Sequence, residues 1–214
     1  MTIYNDQLSQ YNTSLFAIQD EALQRAWEDT PRLGLPAISI KPEEGRFLQV
    51  LVRACGAKKA IEIGTLGGYS SIWIARGLLP GGKLITLEKE PRHAEIARQH
   101  FALAGLSQTV EIRVGNAWHS LSELTPEGPF DLIFIDADKP GYPKYLDWAL
   151  ENTRLGGVII AHNAFRKGSV AGVVPPDEYT ETMIEFNRRV ANDSRLISII
   201  YPAGDGTLVS VKVA

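Results

Sequence analysis

The chain of 214 residues holds a single cysteine, Cys55. One thiol closes no internal disulfide, so a stapled secreted scaffold is excluded and a reducing cytoplasm is the expected home. Cys55 lies among apolar residues ahead of the first strand and reads as core filler, not as a nucleophile. Long apolar runs are missing, which argues against a membrane span. The N-terminal stretch MTIYNDQLSQ lacks the charged and apolar regions of a signal peptide. Charge of one sign is not in excess: a net charge of −3 argues against a nucleic-acid footprint. Repeats, low-complexity tracts and linkers are absent too. What is present is 44% hydrophobic and 22% charged residues, the balance of a soluble globular protein. The length suits one domain, residues 1–214, with a full core.

The stretch from Lys59 to Ser71, KAIEIGTLGGYSS, organises the rest. Residues 60–63 read as a short apolar strand, Gly64, Gly67 and Gly68 as a tight turn, and residues 69–79 as a helix stopped by Pro80-Gly81-Gly82. Strand, glycine turn and helix make the first unit of an open α/β sheet, and the turn lets backbone approach a nucleotide-like cofactor. Glycine at such a corner also serves geometry alone. Further strands are predicted at 84–88, 110–114, 131–135 and 157–161, with helices at 91–104 and 141–152 between them. Continuous apolar strands separated by helices imply a parallel sheet covered on both faces. A helix at about 178–192 precedes two strands joined by Ala203-Gly204-Asp205-Gly206, a hairpin signal. Ahead of the sheet, residues 42–55 read as a helix burying Phe47, Leu48, Leu51 and Val52. Residues 1–35 form a polar helical segment in which Leu15, Ile18, Leu23 and Trp27 suit an apolar stripe, and residues 36–214 form the core.

Ligands of open α/β sheets bind beyond the carboxyl ends of the strands. Those ends carry Glu62 with the glycine turn, Glu88, Gly115-Asn116-Ala117-Trp118, Asp136-Ala137-Asp138-Lys139 and His162-Asn163. An acid at the position of Glu88 can accept hydrogen bonds from both ribose hydroxyls. Simpler readings stand beside these. Asp136 and Asp138 also suit a helix cap, as does Ser70, and Trp118 reads as partial core before it reads as an adenine-stacking face. His93, His100 and His119 fall in surface-like helical stretches and receive no role. The turn is G-T-L-G-G, not the G-x-G-x-x-G that brings a helix N-terminus onto a pyrophosphate. S-adenosylmethionine carries ribose and adenine but no phosphate, and a looser turn with a nearby acid suits it better.

The segments EIGTLGGYS, TLEKEP, VGNA, FIDADK and GDG together resemble the cation-dependent class I O-methyltransferases, the group of the caffeoyl-CoA and catechol O-methyltransferases and their small bacterial counterparts. The similarity runs from about Ser39 onward. It implies a Rossmann-like, mostly parallel seven-stranded sheet with helices on both faces and a C-terminal β-hairpin, usually in a homodimer. Carried over by position, Glu62, Gly64, Thr65, Gly68, Ser70, Glu88, Ala117 and Asp138 are the expected S-adenosylmethionine residues. Asp136 resembles the first ligand of a divalent cation (Mg or Mn), and Lys139 the base that accepts a phenol proton. His162 and Asn163 occupy the places of an Asp-Asn pair that completes the metal site.

His162 departs from that pattern. Carboxylate suits Mg²⁺, whereas imidazole favours Mn, Fe, Co, Ni or Zn. Three readings follow, in this order: a site that prefers a softer metal, a weak site held by Asp136, Asn163 and water, or a site without metal in which Lys139 is the sole activator. Lys167 replaces an asparagine of the caffeoyl-CoA enzymes, and with Arg166 it either faces an acidic substrate or is simply solvated. The resemblance implies a small phenolic acceptor with two adjacent hydroxyls, and neither nucleic acid nor membrane as partner. The competing classes are a nicotinamide-dependent oxidoreductase, against which the missing G-x-G-x-x-G counts, and a cofactor-binding relic of a methyltransferase.

Overall fold

The computed structural model describes residues 5–214. Three helices come first: α1 (Asp6–Phe16), α2 (Glu21–Arg32) and α3 (Pro42–Ala54). Strands and helices then alternate as β1 (Lys59–Ile63), α4 (Tyr69–Gly77), β2 (Lys83–Glu88), α5 (Pro91–Leu103), β3 (Val110–Val114), α6 (Ala117–Leu124), β4 (Phe130–Ile135), α7 (Tyr142–Asn152) and β5 (Thr153–Ala161). The chain closes with α8 (Thr180–Ala191), β6 (Leu196–Tyr201) and β7 (Thr207–Lys212). The predicted elements are all present, with ends moved by one or two residues except at β5, which starts four residues early at Thr153.

The seven strands follow the order β3-β2-β1-β4-β5-β7-β6. Strands β1 to β5 pair in parallel, while β7 runs antiparallel to both β5 and β6. The hairpin was expected; the insertion of β7 between β5 and β6 was not, because a turn signal reports pairing and not which strand docks on the sheet. Side chains alternate between the two faces as strand geometry requires. Ala60, Leu84, Leu132, Phe134 and Ile160 pack with α2 to α5, and Ile61, Ile63, Ile85, Ile133, Ile135 and Ile159 pack with α6 to α8. Both faces are therefore dry, which is why the strands read as unbroken apolar runs.

The stripe proposed for the N-terminal segment is only half right. Leu23 is buried and Trp27 packs against the core, but Leu15 and Ile18 are exposed. The helix is broken between Phe16 and Glu21, and the Asp20 side chain accepts the Leu23 N–H at 3.1 Å to start a new one. The two halves of the stripe thus lie on different helices. Cys55 is half-buried against the core, as its surroundings implied.

Register positions the functional edge. Ile63 lies beside Leu87 and Ile135, and Ile135 beside Ala161. The ladder continues one residue further: Gly64 N–H donates to Leu87 O (3.0 Å), Asp136 N–H to Ile63 O (2.9 Å) and His162 N–H to Ile135 O (3.0 Å). Gly64, Asp136 and His162 are thereby placed side by side where the strand order reverses, the point at which open α/β sheets bind ligands.

Candidate active site

A cavity of about 680 Å³ opens over this edge. Its wall includes Gly64, Thr65, Ser70, Glu88, Ala117, Asp136, Asp138, Lys139 and Asn163, so most of the residues singled out from the sequence converge there. Glu62, Gly68 and His162 are not on the wall.

Glu62 lies beneath the turn. Its carboxylate is fully buried and accepts hydrogen bonds from Ser70 Oγ (2.5 Å), Thr86 Oγ1 (2.7 Å) and Ser71 Oγ. Burial pushes Glu62 up to about 7, and the three hydroxyls oppose it. The acid ties the first turn of α4 to the end of β1. Gly68 caps α4 with a left-handed φ of +81°. Gly64 has φ +103°, and a Cβ there would lie 2.1 Å from the Asp136 carbonyl oxygen. That closeness lets the tips of β1 and β4 meet.

Glu88 braces the turn from the other side. Its Oε2 accepts the Leu66 N–H at 2.7 Å and its Oε1 the Glu90 N–H at 2.9 Å. Each carboxylate oxygen keeps a further lone pair for a ligand hydroxyl. His100, expected at the surface, is buried, and its Nδ1–H donates to Gly67 O at 2.7 Å. The signal was there: His100 follows Ala97 by one turn and adjoins Phe101, both buried on the inner face of α5. His93 and His119 stay peripheral, His93 lying 3.4 Å from Glu88 and His119 beside Glu123.

On the opposite wall Trp118 stacks on Tyr145, with ring centroids 4.4 Å apart and an 11° interplanar angle. Tyr145 Oη donates to Asp138 Oδ1 (2.7 Å), while Asp138 Oδ2 accepts the Gly141 N–H (3.1 Å). Asp138 is thus a cap of the short 3₁₀ turn at Lys139–Gly141 as well as part of the cavity.

The buried Lys139 ammonium donates to Tyr142 Oη (2.7 Å) and Ala137 O (3.0 Å), and lies 3.6 Å from Asp136 Oδ1. Burial lowers its pKa, against the pull of Asp136. Asp136 is itself disfavoured as an anion by burial, but His162 and then Lys139 outweigh this and hold it below its ordinary value. His162 stands between two acids. Its Nδ1 is 3.2 Å from Asp136 Oδ2 and its Nε2 is 3.0 Å from Glu44 Oε1. Burial opposes a charged ring, yet Asp136 and then Glu44 push His162 up to about 10. Asn163, at φ +59°, donates from Nδ2 to Asp205 Oδ2 at 3.2 Å. Arg166 is committed to Asp177 at 2.7 Å, which leaves Lys167 as the exposed cation at that rim.

Among the described residues no three His, Cys, Asp or Glu side chains form a metal cage. The set at issue here is one carboxylate, one imidazole and one amide. Nδ1 of His162 and Oδ2 of Asp136 are separated by about the distance between neighbouring donors on one first-row cation, whose bonds run at roughly 2.0–2.2 Å. Nitrogen and oxygen donors in this mixture suit a transition ion better than Mg²⁺. The donor set therefore fits a divalent cation chemically. Glu44 and Tyr142 escaped the sequence reading because neither belongs to a recognisable motif of its own, and Asp205 was read only as part of the GDG turn.

A reversed strand order with a glycine turn and acids at the reversal, and an antiparallel strand inserted beside the far edge, define a class: the S-adenosylmethionine-dependent methyltransferases. Within that class the assignment is direct. A family profile described as O-methyltransferase matches residues 12–213, and the chain belongs to that family. The catechol O-methyltransferase of Niastella koreensis is 44% identical over 186 residues, covering 86% of this chain and 82% of that protein. The catechol O-methyltransferase of Mycobacterium tuberculosis is 44% identical over 151 residues, or 71% of this chain and 68% of that one. An O-methyltransferase from Bacillus cereus, solved in complex with SAH, superposes with a TM-score of 0.87 at 39% identity, covering 96% of this chain and 97% of its own. The chain is an S-adenosylmethionine-dependent O-methyltransferase, and the nicotinamide alternative falls away.

Proposed function

We propose that the enzyme methylates one hydroxyl of a catechol-like aromatic, with Lys139 as the base and a divalent cation at Asp136, His162 and Asn163. The observation that carries this reading is the position of Lys139: its ammonium lies beside Asp136, on the wall of the cavity that Glu88 and the glycine turn also line. Two relatives bearing the name catechol O-methyltransferase support the acceptor class.

Methyl transfer from a sulfonium is an in-line displacement. The acceptor oxygen forms the new O–CH₃ bond, the S–CH₃ bond breaks, and its electron pair stays on sulfur as a neutral thioether. The oxygen must first lose its proton, and a phenol's pKa is about 10. Lys139 in its neutral form takes that proton, and burial makes the neutral form more accessible. Tyr142 Oη, lying 3.0 Å from His162 O and 3.3 Å from Ile135 O, directs its own hydrogen to the backbone and accepts from Lys139. Glu88 holds the donor's ribose, and the walls align donor and acceptor, which removes much of the entropic barrier. A bound divalent cation supplies positive charge that favours the deprotonated hydroxyl.

A second reading has one observation in its favour. His162, held charged between Asp136 and Glu44, would itself supply the positive charge without a metal. Activity measured with a labelled methyl donor and a panel of vicinal diols, in EDTA and after adding Mg²⁺, Mn²⁺ or Co²⁺, separates the two. Loss in EDTA and recovery with a transition ion are expected. Full activity in EDTA removes the metal, and no methylation of any diol removes the acceptor class.

A homodimer is part of the same proposal. Ile197 and Ile199, 68% and 71% exposed, project from the free edge strand β6 on the side where Tyr201 stacks on Phe47. An apolar, unpaired edge of this kind is a natural contact for a second copy. Ile199→Asp is expected to shift the protein from dimer to monomer in light scattering; a wild-type monomer at micromolar concentration rules the contact out. No helix among the described residues is long and apolar enough to cross a membrane, and with one thiol the chain suits the cytoplasm.

A further inference from the structure

Glu44 is a buried carboxylate, only 4% exposed, brought to the catalytic corner by the first turn of α3. Its Oε2 accepts the Lys41 N–H at 2.9 Å, which anchors the side chain at the helix N-terminus. Its Oε1 meets His162 Nε2 at 3.0 Å. Among the described residues no lysine or arginine pairs with it, so His162 is its one oppositely charged partner. The hairpin turn also makes room for it. Gly204 adopts φ +56°, and a Cβ there would lie 2.2 Å from Glu44 Oε1.

A neutral imidazole has one N–H and one lone pair. In the charged ring Nε2–H donates to Glu44 and Nδ1–H to Asp136; a cation taking the place of the Nδ1 proton would leave the remaining hydrogen on Nε2, held by Glu44, and the lone pair on Nδ1. Nδ1 is the nitrogen 3.2 Å from Asp136. Imidazoles that bind metals commonly donate their second nitrogen to such an outer carboxylate, which fixes the tautomer and raises the donor strength of the ring. An aspartate at position 162 would have no use for Glu44, because two buried carboxylates would then face each other at hydrogen-bonding distance.

We propose that Glu44 is the positioning residue of the cation site: it holds His162 with Nδ1 directed toward Asp136, and the Glu44–His162 pair sets the site for a first-row transition ion in place of Mg²⁺. This rests on the metal-assisted reading above. Glu44 itself touches neither donor nor acceptor.

The test is a double-mutant cycle read by metal binding. Chelator-stripped wild type, Glu44→Gln, His162→Asp and the double variant are titrated with Co²⁺ and Mg²⁺ by calorimetry, and the Co²⁺ absorption bands are recorded. SAH affinity and thermal stability serve as controls. Glu44→Gln is expected to weaken Co²⁺ binding by about 10- to 100-fold with SAH affinity unchanged. His162→Asp is expected to shift preference toward Mg²⁺. In that background the sign reverses: adding Glu44→Gln relieves the facing carboxylates and raises Mg²⁺ affinity and stability. Equal Co²⁺ affinity in wild type and Glu44→Gln overturns the proposal, as does a loss of the same size in both backgrounds, which marks a merely structural residue. If Glu44→Gln alone does not fold, the comparison of His162→Asp with the double variant still reads the sign. Wild type that binds neither Co²⁺ nor Mg²⁺ defeats the metal-assisted reading itself, a result distinct from the other two.

Discussion

Lys139→Ala is expected to lower kcat by about 10²- to 10⁴-fold, the usual contribution of a positioned base, while the SAH dissociation constant stays at its wild-type value. The prediction separates chemistry from donor binding because Lys139 meets the cavity from the β4 tip, whereas Glu88 and the glycine turn belong to β1 and β2. The fold has reason to survive. Removing the side chain leaves Tyr142 Oη its backbone acceptors and Asp136 its contact with His162, while each hydrogen bond lost, to Tyr142 Oη and Ala137 O, costs on the order of 1–3 kcal/mol. Lys139→Arg sharpens the result. A guanidinium keeps the positive charge but does not lose its proton at any working pH. A base role requires the arginine variant to be nearly as inactive as the alanine one. Wild-type turnover in Lys139→Arg would mean that the residue serves by charge alone, and wild-type turnover in Lys139→Ala would remove it from the mechanism. Steady-state kinetics with calorimetric SAH titration decides.

The second large effect is expected at Gly64. An alanine Cβ there would lie 2.1 Å from the Asp136 carbonyl oxygen and 2.9 Å from its carbon. Those atoms are backbone held in the sheet, since the Asp136 N–H donates to Ile63 O. No rotamer relieves the clash, and φ +103° adds its own strain for any residue with a Cβ. Gly64→Ala is therefore expected to destabilise the protein by at least about 4 kcal/mol, or to prevent accumulation of folded protein. Gly105→Ala is the control: φ is +69° there, but open space surrounds the position, so only a left-handed penalty of roughly 1–2 kcal/mol is expected. Urea denaturation of the two variants gives the comparison. Equal midpoints would show that the β1 and β4 tips separate freely, against the close packing on which the site depends.

Much of this architecture was readable in advance, for a physical reason. Strands such as residues 130–135 are buried on both faces, and double burial leaves an unbroken apolar run in the sequence. The strand tips were readable because ligand chemistry in open sheets is confined to one edge, and Glu88, Asp136, Lys139 and Asn163 do meet at one cavity there. What stayed hidden depends on distant segments. Nothing local announces that Glu44 meets His162 across 118 positions, or that His100 reaches back to the carbonyl of Gly67. Leu15 and Ile18 misled in the opposite way: a helical period continued on paper through Ala17–Asp20, where the chain bends. Glu62 was placed at the correct strand end, but period-two alternation turns it under the turn, toward Ser70, Ser71 and Thr86.

The inserted strand has a consequence for biosynthesis. On the ribosome β6 emerges before β7, yet β7 occupies the place next to β5. The nascent chain can complete the donor-binding half from β1 to β4 while the flank of β5 is still bare. Asp205, which holds Asn163, and Gly204, which admits Glu44, arrive only with the turn that leads into β7. The Asn163–Asp205 contact is thus the last part of the proposed site to be assembled.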